Sequence, residues 1–322
     1  YATGDDVRSS PAVADLDKNN SLELIVGSHD GSLHILSGFG QQLATHQVNG
    51  SINGSPAAVD LDQDGDLEVV FTSYNGSTGD VHAIHHNGST FYGFPVYLNE
   101  KMVGGAATGD LDGDGYPEIV VCTDDDNVYA IKKDGSIMTG FPFTSTDRFF
   151  NAPTLVDLDG DSDLEIVVGN RRGTLQVLHH DGTEMASYEV GDDIRGGVSV
   201  ADLNDDGSYE LLVTSYEDMI HVWNPIDGEE LEGWPVDMGS NALTEPATAD
   251  LDNDGDLEVV AATRSGMAYV FHHDATLYNN FPASLGGNVE SSPAIGDVDG
   301  DGDFEIVFGT TNGLRVIDIK EE

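Results

Sequence analysis

The sequence D-L-D-Q-D-G-D-L-E, from Asp60 to Glu68, runs directly into the apolar residues V-V-F and decides the fold of this chain. The same nine-residue pattern occurs seven times, at intervals of 45 to 50 residues. We call these segments the acidic loops, number them one to seven, and number the positions in each from 1 to 9. They cover residues 15–23, 60–68, 110–118, 157–165, 202–210, 250–258 and 297–305.

Each acidic loop has oxygen-bearing side chains at positions 1, 3 and 5 and a glutamate at position 9. Hard oxygen ligands in this arrangement suit calcium. Two carboxylates about 4 Å apart repel each other by about 4 kcal/mol at an effective dielectric near 20, so a cation is expected between them. The pattern therefore predicts up to seven calcium ions. The candidate ligands, at positions 1, 3, 5, 7 and 9, are Asp15, Asp17, Asn19, Ser21, Glu23, Asp60, Asp62, Asp64, Asp66, Glu68, Asp110, Asp112, Asp114, Tyr116, Glu118, Asp157, Asp159, Asp161, Asp163, Glu165, Asp202, Asn204, Asp206, Ser208, Glu210, Asp250, Asp252, Asp254, Asp256, Glu258, Asp297, Asp299, Asp301, Asp303 and Glu305.

The spacing excludes an EF-hand, which places its glutamate at position 12 between two helices. Here the glutamate comes at position 9 and begins an apolar run, so the loops are expected to join strands. Position 6 favours glycine because the turn is sharp, and Ser162 in the fourth loop is less suited to it. The first loop has Asn19 and Asn20 at positions 5 and 6 and is expected to bind calcium most weakly.

Every repeat contains four short apolar segments, which in the second repeat cover residues 55–59, 67–72, 81–85 and 94–97. Turn pairs such as Asn87-Gly88 and Asp134-Gly135 separate the later segments, as in antiparallel hairpins. Four strands every 45 or so residues are typical of a propeller blade. The sequence therefore predicts an all-β fold, a seven-bladed β-propeller with four antiparallel strands per blade, in one domain over residues 1–322.

The two ends of the chain suggest how the ring closes. After the seventh loop only two apolar segments remain, at 305–309 and 314–319, so the last blade lacks an outer strand. The first eight residues, Y-A-T-G-D-D-V-R, align with Y-E-V-G-D-D-I-R at 188–195, which ends the fourth blade. We therefore expect residues 1–4 to complete the seventh blade, which would remove both open sheet edges.

Charge and hydropathy exclude two classes of partner. The formal net charge is -47, which repels nucleic acid and anionic membranes. No apolar run of 18 residues is present, so membrane insertion is not expected. Calcium sites of moderate affinity fill where the free ion is abundant, which predicts an extracellular or cell-surface location.

The repeated motif resembles the FG-GAP or VCBS repeat proteins, which include the integrin α-subunit propeller and related fungal lectins. The resemblance rests on the pattern S-P-A-V-A-D-L-D-x-D-G-x-x-E-I-V-V-G and covers all seven repeats. It implies a calcium-bearing, seven-bladed propeller, usually extracellular, that serves in adhesion, in glycan binding or as a scaffold. The glutamate at position 9 departs from the aspartate of many relatives.

Residues that vary between repeats point to a ligand face opposite the acidic loops. Its arginines suit a carboxylate or sulfate, and its aromatic residues suit sugar rings, so the expected partner is a glycan, another anionic ligand or a protein. The candidate ligand-binding residues are Arg8, His29, Tyr74, Phe150, Arg171, Arg195, Tyr216 and Arg264.

Several alternatives stay open at this point. Arg8 with Asp6, and Arg195 with Asp193, can be simple surface ion pairs. The chain can also be a polysaccharide lyase or hydrolase, or a structural spacer joined to further domains of a longer surface protein. No nucleophile or phosphate-binding motif is present, so no catalytic residue is assigned and a binding module is favoured over an enzyme.

Three histidine pairs occupy equivalent turns, at residues 85–86, 179–180 and 272–273. Neighbouring residues on a strand point to opposite faces, which makes each pair a poor metal chelate. We interpret these histidines as turn residues.

Overall fold

The computed structural model describes residues 1–102 and 104–319 of the chain. Within those residues it contains twenty-seven β-strands and no helix, which confirms the predicted all-β class. The described part of the chain contains no helix able to cross a membrane. The strands form seven sheets, and in each sheet the strands follow one another in chain order.

The chain divides into two compact units, Tyr1–Ile166 with Val177–Met185 and Val167–Gln176 with Ala186–Glu322. The first unit contains the first three sheets. Their strands are β1 Ala12–Ala14, β2 Glu23–Gly27, β3 Ser32–Ser37, β4 Gln42–Gln47, β5 Ala57–Val59, β6 Glu68–Tyr74, β7 Gly79–Ile84, β8 Val96–Tyr97, β9 Ala106–Gly109, β10 Glu118–Cys122, β11 Asn127–Ile131 and β12 Phe143–Thr144.

The fourth sheet has the same order of four strands, and the second unit contains the last three sheets. The strands of these four sheets are β13 Thr154–Val156, β14 Glu165–Gly169, β15 Thr174–Leu178, β16 Glu184–Glu189, β17 Ser199–Ala201, β18 Glu210–Thr214, β19 Met219–Trp223, β20 Val236–Asp237, β21 Ala247–Ala249, β22 Glu258–Ala262, β23 Met267–Phe271, β24 Ala283–Ser284, β25 Ala294–Gly296, β26 Glu305–Thr310 and β27 Gly313–Asp318.

Apolar clusters lie between successive sheets within each unit, because the second strand of each sheet carries apolar residues on both faces. In the first unit, Ile25 of the first sheet belongs to the same buried cluster as Phe71 of the second. Val70 of the second sheet likewise clusters with Ile119 of the third. In the second unit, corresponding clusters join the fifth sheet to the sixth and the sixth to the seventh. Each of these sheets therefore shares a buried core with a neighbour in its own unit, as expected of a repeat architecture.

Turn chemistry follows the sequence prediction. The glycines of the predicted hairpin turns have positive φ, for example 84° at Gly88 and 81° at Gly135, where a side chain would be strained. Between β6 and β7 the antiparallel register is continuous, with Val69 opposite Ile84, whereas the pairing of β3 with β4 shifts between Ile35 and Leu36. The four predicted strands of the second repeat are confirmed as β5 to β8, although β8 is only two residues long.

The seventh sheet has three strands, β25 to β27, in the described part of the chain. Residues 1–4 form no strand. The Tyr1 hydroxyl instead bonds to His34 Nδ1 at 2.9 Å, and the Gly4 N–H donates to Asp30 Oδ2 at 2.8 Å. Completion of the seventh blade by residues 1–4, and a single domain over residues 1–322, stay predictions.

Candidate metal centres and ligand face

Each acidic loop connects the first strand of its sheet to the second. Position 1 directly follows the first strand, and the glutamate at position 9 is the first residue of the second strand in all seven repeats. The prediction that these loops join strands is confirmed. The two strands therefore fix both ends of the loop and hold its acidic side chains together.

All seven loops share one pattern of hydrogen bonds. The N–H of position 6 donates to Oδ2 of position 1. The N–H of position 7 donates to the side-chain Oδ1 of position 5. The N–H of position 2 donates to Oε2 of the glutamate at position 9. These bonds orient the carboxylates and leave Oε1 of each glutamate for another partner.

The backbone is left-handed at two positions of every loop. Position 6 has positive φ throughout, including 66° at Asn20 and 84° at Ser162, which confirms the sharp turn expected there. Position 4 also has positive φ in every loop, as at Gln63 with 62°. Sequence reasoning missed position 4, because glycine stands there in only three of the seven copies.

The glutamate at position 9 is buried in every loop, with a relative exposure between 0 and 5 %. Desolvation by burial raises the pKa of Glu118 and of Glu210 to about 7. The same cause raises the pKa of Glu68, Glu165 and Glu258. A nearby cation favours the charged form of such a buried carboxyl group.

Loops two to seven also contain buried carboxylate oxygens that lack any hydrogen-bond partner. These atoms are Asp60 Oδ1, Asp110 Oδ1, Asp163 Oδ1, Glu165 Oε1, Glu210 Oε1, Asp250 Oδ1, Asp252 Oδ1 and Glu305 Oε1. Leaving a buried polar atom without a partner is costly, and a bound cation removes that cost. In the first three loops, for example, one oxygen each from positions 1, 3 and 9 lie within 4.8 Å of one another. The donor set therefore fits a hard divalent cation.

The residue directly opposite the loop glutamate, on the third strand or just after it, differs from sheet to sheet. We call it the facing residue. The strand register gives Ser37, His85, Lys132, Asn224, His272 and Asp318 as the facing residues of loops one, two, three, five, six and seven. In the fourth loop the facing residue is His179, which directly follows β15 and lies 3.5 Å from Glu165.

Lys132 places a cation inside the third loop. Its Nζ atom lies 2.9 Å from Asp112 Oδ2 and 3.9 Å from both Asp114 Oδ2 and Glu118 Oε1. These three carboxylates are all candidate ligands of that loop. The third loop thus contains a positive charge of its own.

The histidine pairs also lie against the acidic loops. His85 Nδ1 is 3.0 Å from Glu68 Oε1, and His86 Nδ1 is 3.3 Å from Asp66 Oδ2. The expectation that the two rings of a pair point to opposite faces was wrong, because β7 ends at Ile84 and the strand alternation stops there. Both imidazoles therefore face the carboxylates of their own loop.

The structure places three of the candidate ligand-binding residues around one hollow in the first unit. The hollow has a volume of about 820 Å³ and is lined by Arg8, His29, Tyr74 and Asn53, among others. His29 lies in the turn between β2 and β3, Tyr74 is the last residue of β6, and Arg8 precedes β1. In an antiparallel sheet these segments lie at the end opposite the acidic loop, as predicted.

The remaining candidates form separate groups in the second unit and near Phe150. Arg171 Nε and Arg195 Nη2 both contact Asp193 Oδ2, at 3.4 and 2.9 Å, and the Arg195 guanidinium lies 4.7 Å from the centre of the Tyr216 ring. Arg264 Nη2 is 3.3 Å from Glu290 Oε1. The ring of Phe150 lies 5.7 Å from the Arg148 guanidinium. These arginines therefore have acidic or aromatic partners within the protein.

Comparison with known families matches five consecutive segments to the FG-GAP-like repeat, at residues 60–121, 110–168, 157–213, 202–261 and 250–308. The chain is an FG-GAP repeat protein. The match begins at the second acidic loop of this FG-GAP repeat protein, so the first loop, with Asn19 and Asn20, lies outside it. Among curated proteins, none matches the sequence significantly.

Solved structures similar to the FG-GAP repeat protein are also propeller-type proteins. The computationally designed Ika8 protein superposes with a TM-score of 0.71 and 15% identity, over 98% of this chain and 84% of that chain. BBS1N, crystallised in complex with ARL6DN and soaked with mercury, superposes with a TM-score of 0.64 and 12% identity, over 98% of this chain and 93% of that chain. The WD40 β-propeller domain of Doa1 superposes with a TM-score of 0.58 and 15% identity, over 100% of this chain and 95% of that chain. At these identities the likeness shows the fold alone, and seven sheets fit seven blades.

Proposed function

We propose that this FG-GAP repeat protein is an extracellular binding module, stabilised by calcium, that recognises a glycan or another anionic ligand. The observation that carries the proposal is the hollow lined by Arg8, His29 and Tyr74 at the sheet ends opposite the acidic loops. Those residues combine a positive charge with an aromatic ring on a face that varies between repeats. Variable turns on a rigid repeat scaffold commonly serve binding.

Calcium is the cation that the acidic loops suit best. Positions 1, 3, 5 and 9 offer carboxylate and amide oxygens, and calcium takes six to eight oxygen ligands at about 2.3–2.6 Å. The ion would neutralise the buried glutamate and hold the first strand of each sheet to the second. A site built from exposed loops and several carboxylates fills at the calcium levels found outside cells, which supports the proposed location.

The chemistry of the hollow suits an acidic sugar. Arg8 is paired only weakly within the protein, because its contact with Asp6 Oδ2 is 3.5 Å long and both side chains are more than 60% exposed. A carboxylate or sulfate group of a ligand can form two parallel hydrogen bonds with this guanidinium. The Tyr74 ring offers a face on which a sugar ring can stack.

The test is an array of neutral, carboxylated and sulfated glycans probed in the presence of calcium. We expect binding to acidic glycans, and a loss of about tenfold or more with Arg8→Ala, because a charged hydrogen bond contributes about 1.5–3 kcal/mol. Tyr74→Ala should also weaken binding, because it removes the ring on which the sugar stacks. Arg315→Ala is the matched control, since this arginine lies on β27, outside the hollow, and donates to the Leu285 carbonyl. Absence of glycan binding, or equal binding by all four proteins, contradicts the proposal.

A protein ligand is the second class of partner for the same face. BBS1N, a structural neighbour, was crystallised in complex with ARL6DN, so this fold can present a surface to another protein. If the glycan array is silent, the Arg8 and Tyr74 variants serve equally well to test a candidate protein.

A lyase is the second candidate function, because His29 and Tyr74 line the same hollow and both side chains can transfer a proton. Arg8 would neutralise the uronate beside them. Incubation with uronate polymers should then produce unsaturated sugars that absorb in the ultraviolet. If no such product forms and glycan binding is retained, the binding module is supported and the lyase is contradicted.

A further inference from the structure

The fourth acidic loop differs from the second and sixth, the other loops with a facing histidine, in how its position-1 carboxylate is held. Asp157 at position 1 has both oxygens occupied by the backbone, since Oδ1 accepts from the Gly160 N–H at 2.7 Å and Oδ2 from the Ser162 N–H at 3.2 Å. In loops two, three and six the corresponding Oδ1 atom is buried and has no hydrogen-bond partner. Both oxygens of Asp157 are thus held by the backbone, an arrangement shared by Asp297 of the seventh loop, whose facing residue is Asp318.

Nitrogen ligands are present in the same place. Asp159, Glu165 and His179 each offer one ligand atom, and the three atoms lie within 4.8 Å of one another. His180 Nδ1 contacts Asp163 Oδ2 on the other side of the loop. The loop thus presents two imidazoles and three carboxylates.

The geometry around Glu165 separates this loop from the other histidine-bearing loops. In loops two and six the facing histidine bonds directly to the glutamate, at 3.0 Å in both cases. In the fourth loop His179 Nδ1 is 3.5 Å from Glu165 Oε1, and that oxygen has no hydrogen-bond partner although the Glu165 side chain is fully buried. A buried carboxylate oxygen without a hydrogen bond points to a further ligand between the two groups.

The separation matches a small tetrahedral ion. Zinc binds imidazole nitrogen and carboxylate oxygen at about 2.0–2.2 Å, which places neighbouring ligand atoms about 3.4 Å apart. Calcium prefers oxygen ligands only, at longer distances and higher coordination number. Imidazole suits zinc, nickel and copper.

We propose that the fourth acidic loop is a site for a transition metal ion of the zinc class, with His179, Glu165 and Asp159 as its ligands and His180 and Asp163 beside them. This inference rests on the proposal that the acidic loops are cation sites, and it is independent of the ligand face. It assigns different ions to different sheets of one repeat protein. The separation between the facing histidine and the loop glutamate, which is 3.5 Å in the fourth loop and 3.0 Å in the second and sixth, sets the preference.

The experiment uses the full chain, stripped with a chelator and then returned to a large excess of calcium. Cobalt(II) chloride serves as a spectroscopic probe and zinc chloride as a competitor. We expect one tight site whose cobalt spectrum shows the intense visible absorption of a four-coordinate ion, abolished by zinc. His179→Asn should weaken zinc binding more than about a hundredfold, because loss of an outer-shell partner alone costs about 10–100-fold.

His272→Asn is the matched control, because this residue faces the sixth loop in the same way and bonds directly to Glu258. Asparagine is already the facing residue of the fifth loop, Asn224, so both variants are compatible with the fold. The inference is overturned if no tight site appears in calcium, if His179→Asn binds zinc as the unaltered chain does, or if His272→Asn loses the site equally.

Should His179→Asn fail to fold, anomalous scattering from zinc-soaked crystals of the unaltered chain decides the matter. The zinc peak must then lie beside His179. Calcium binding by the other loops is measured separately by titration, so failure of the zinc site is distinguishable from failure of the calcium proposal.

Discussion

Lys132→Met removes the internal cation of the third acidic loop while keeping the length of the side chain. The ammonium lies 2.9 Å from Asp112 Oδ2 and 3.9 Å from Glu118 Oε1, so its loss leaves those carboxylates facing one another. Two opposite results are expected. Without calcium the variant is less stable than the unaltered chain, and with calcium it gains a binding site.

The size of the first effect follows from the geometry. Coulomb attraction at 2.9 Å is about 6 kcal/mol at an effective dielectric near 20. Solvent screening and side-chain ordering offset most of it, because the Lys132 side chain is 36% exposed. Charged hydrogen bonds contribute about 1.5–3 kcal/mol net, so we expect a loss of about 2 kcal/mol. The unfolding entropy of a chain of this length converts that to about 3 °C in melting temperature.

Calcium should reverse the loss. At a free concentration a hundred times the dissociation constant, one additional site contributes about 2.7 kcal/mol to the folded state. The melting temperature of the variant should therefore rise more on adding calcium than that of the unaltered chain, and calorimetric titration should count one more bound ion.

Lys101→Met is the matched control, because the Lys101 ammonium pairs with Asp124, which lies outside the acidic loops. It should leave the calcium count unchanged. If Lys132→Met lowers the melting temperature equally with calcium and with chelator, or binds no additional ion, Lys132 does not act as the cation of the third loop.

Three further changes test separate parts of the structure. Ser162→Gly relieves a residue held at a φ of 84°, so the melting temperature should rise by the equivalent of about 1 kcal/mol; a fall would show that the serine is not strained. Asn19→Asp adds a carboxylate at position 5 of the first loop and should tighten its calcium binding in a titration, whereas unchanged affinity would argue against the predicted ligand role. Burial, with a smaller effect from His46, lowers the pKa of His82 from 6.5 to about 4, so the unfolded chain binds the proton first on acidification. The contribution of His82 to the free energy of unfolding should be complete above pH 6.5 and fall by about 3 kcal/mol between pH 6.5 and 4. The difference in stability between the unaltered chain and His82→Gln should therefore change by that amount over this range, and a constant difference in their melting curves would contradict the prediction.

The sequence predicted the acidic loops well because each is a local structure. Oxygen spacing, the glutamate that begins a strand and the sharp turn at position 6 are all properties of nine consecutive residues. The confirmed strands of the second repeat follow in the same way from short apolar runs between turns. Ser162 was recognised as unusual for its position, and the structure does hold it at positive φ.

Residues that join a site from another strand were harder to predict. Lys132 and His179 reach the loops through pairing of the second and third strands, which depends on register rather than on a local motif. The register does supply a signal, because pairing β10 with β11 outward from the turn that joins them places Lys132 opposite Glu118. The partners of Arg171 and Arg264 likewise depend on how separate turns approach one another.

The acidic loops are proposed to bind calcium and thereby to hold the strands of each sheet together. This proposal is tested most directly by following the melting temperature of the full chain against free calcium, with calorimetric counting of bound ions. We expect the melting temperature to rise steadily with calcium, several ions to bind, and chelator to restore the low value. A melting temperature that does not respond to calcium, with no ions bound, would contradict the account.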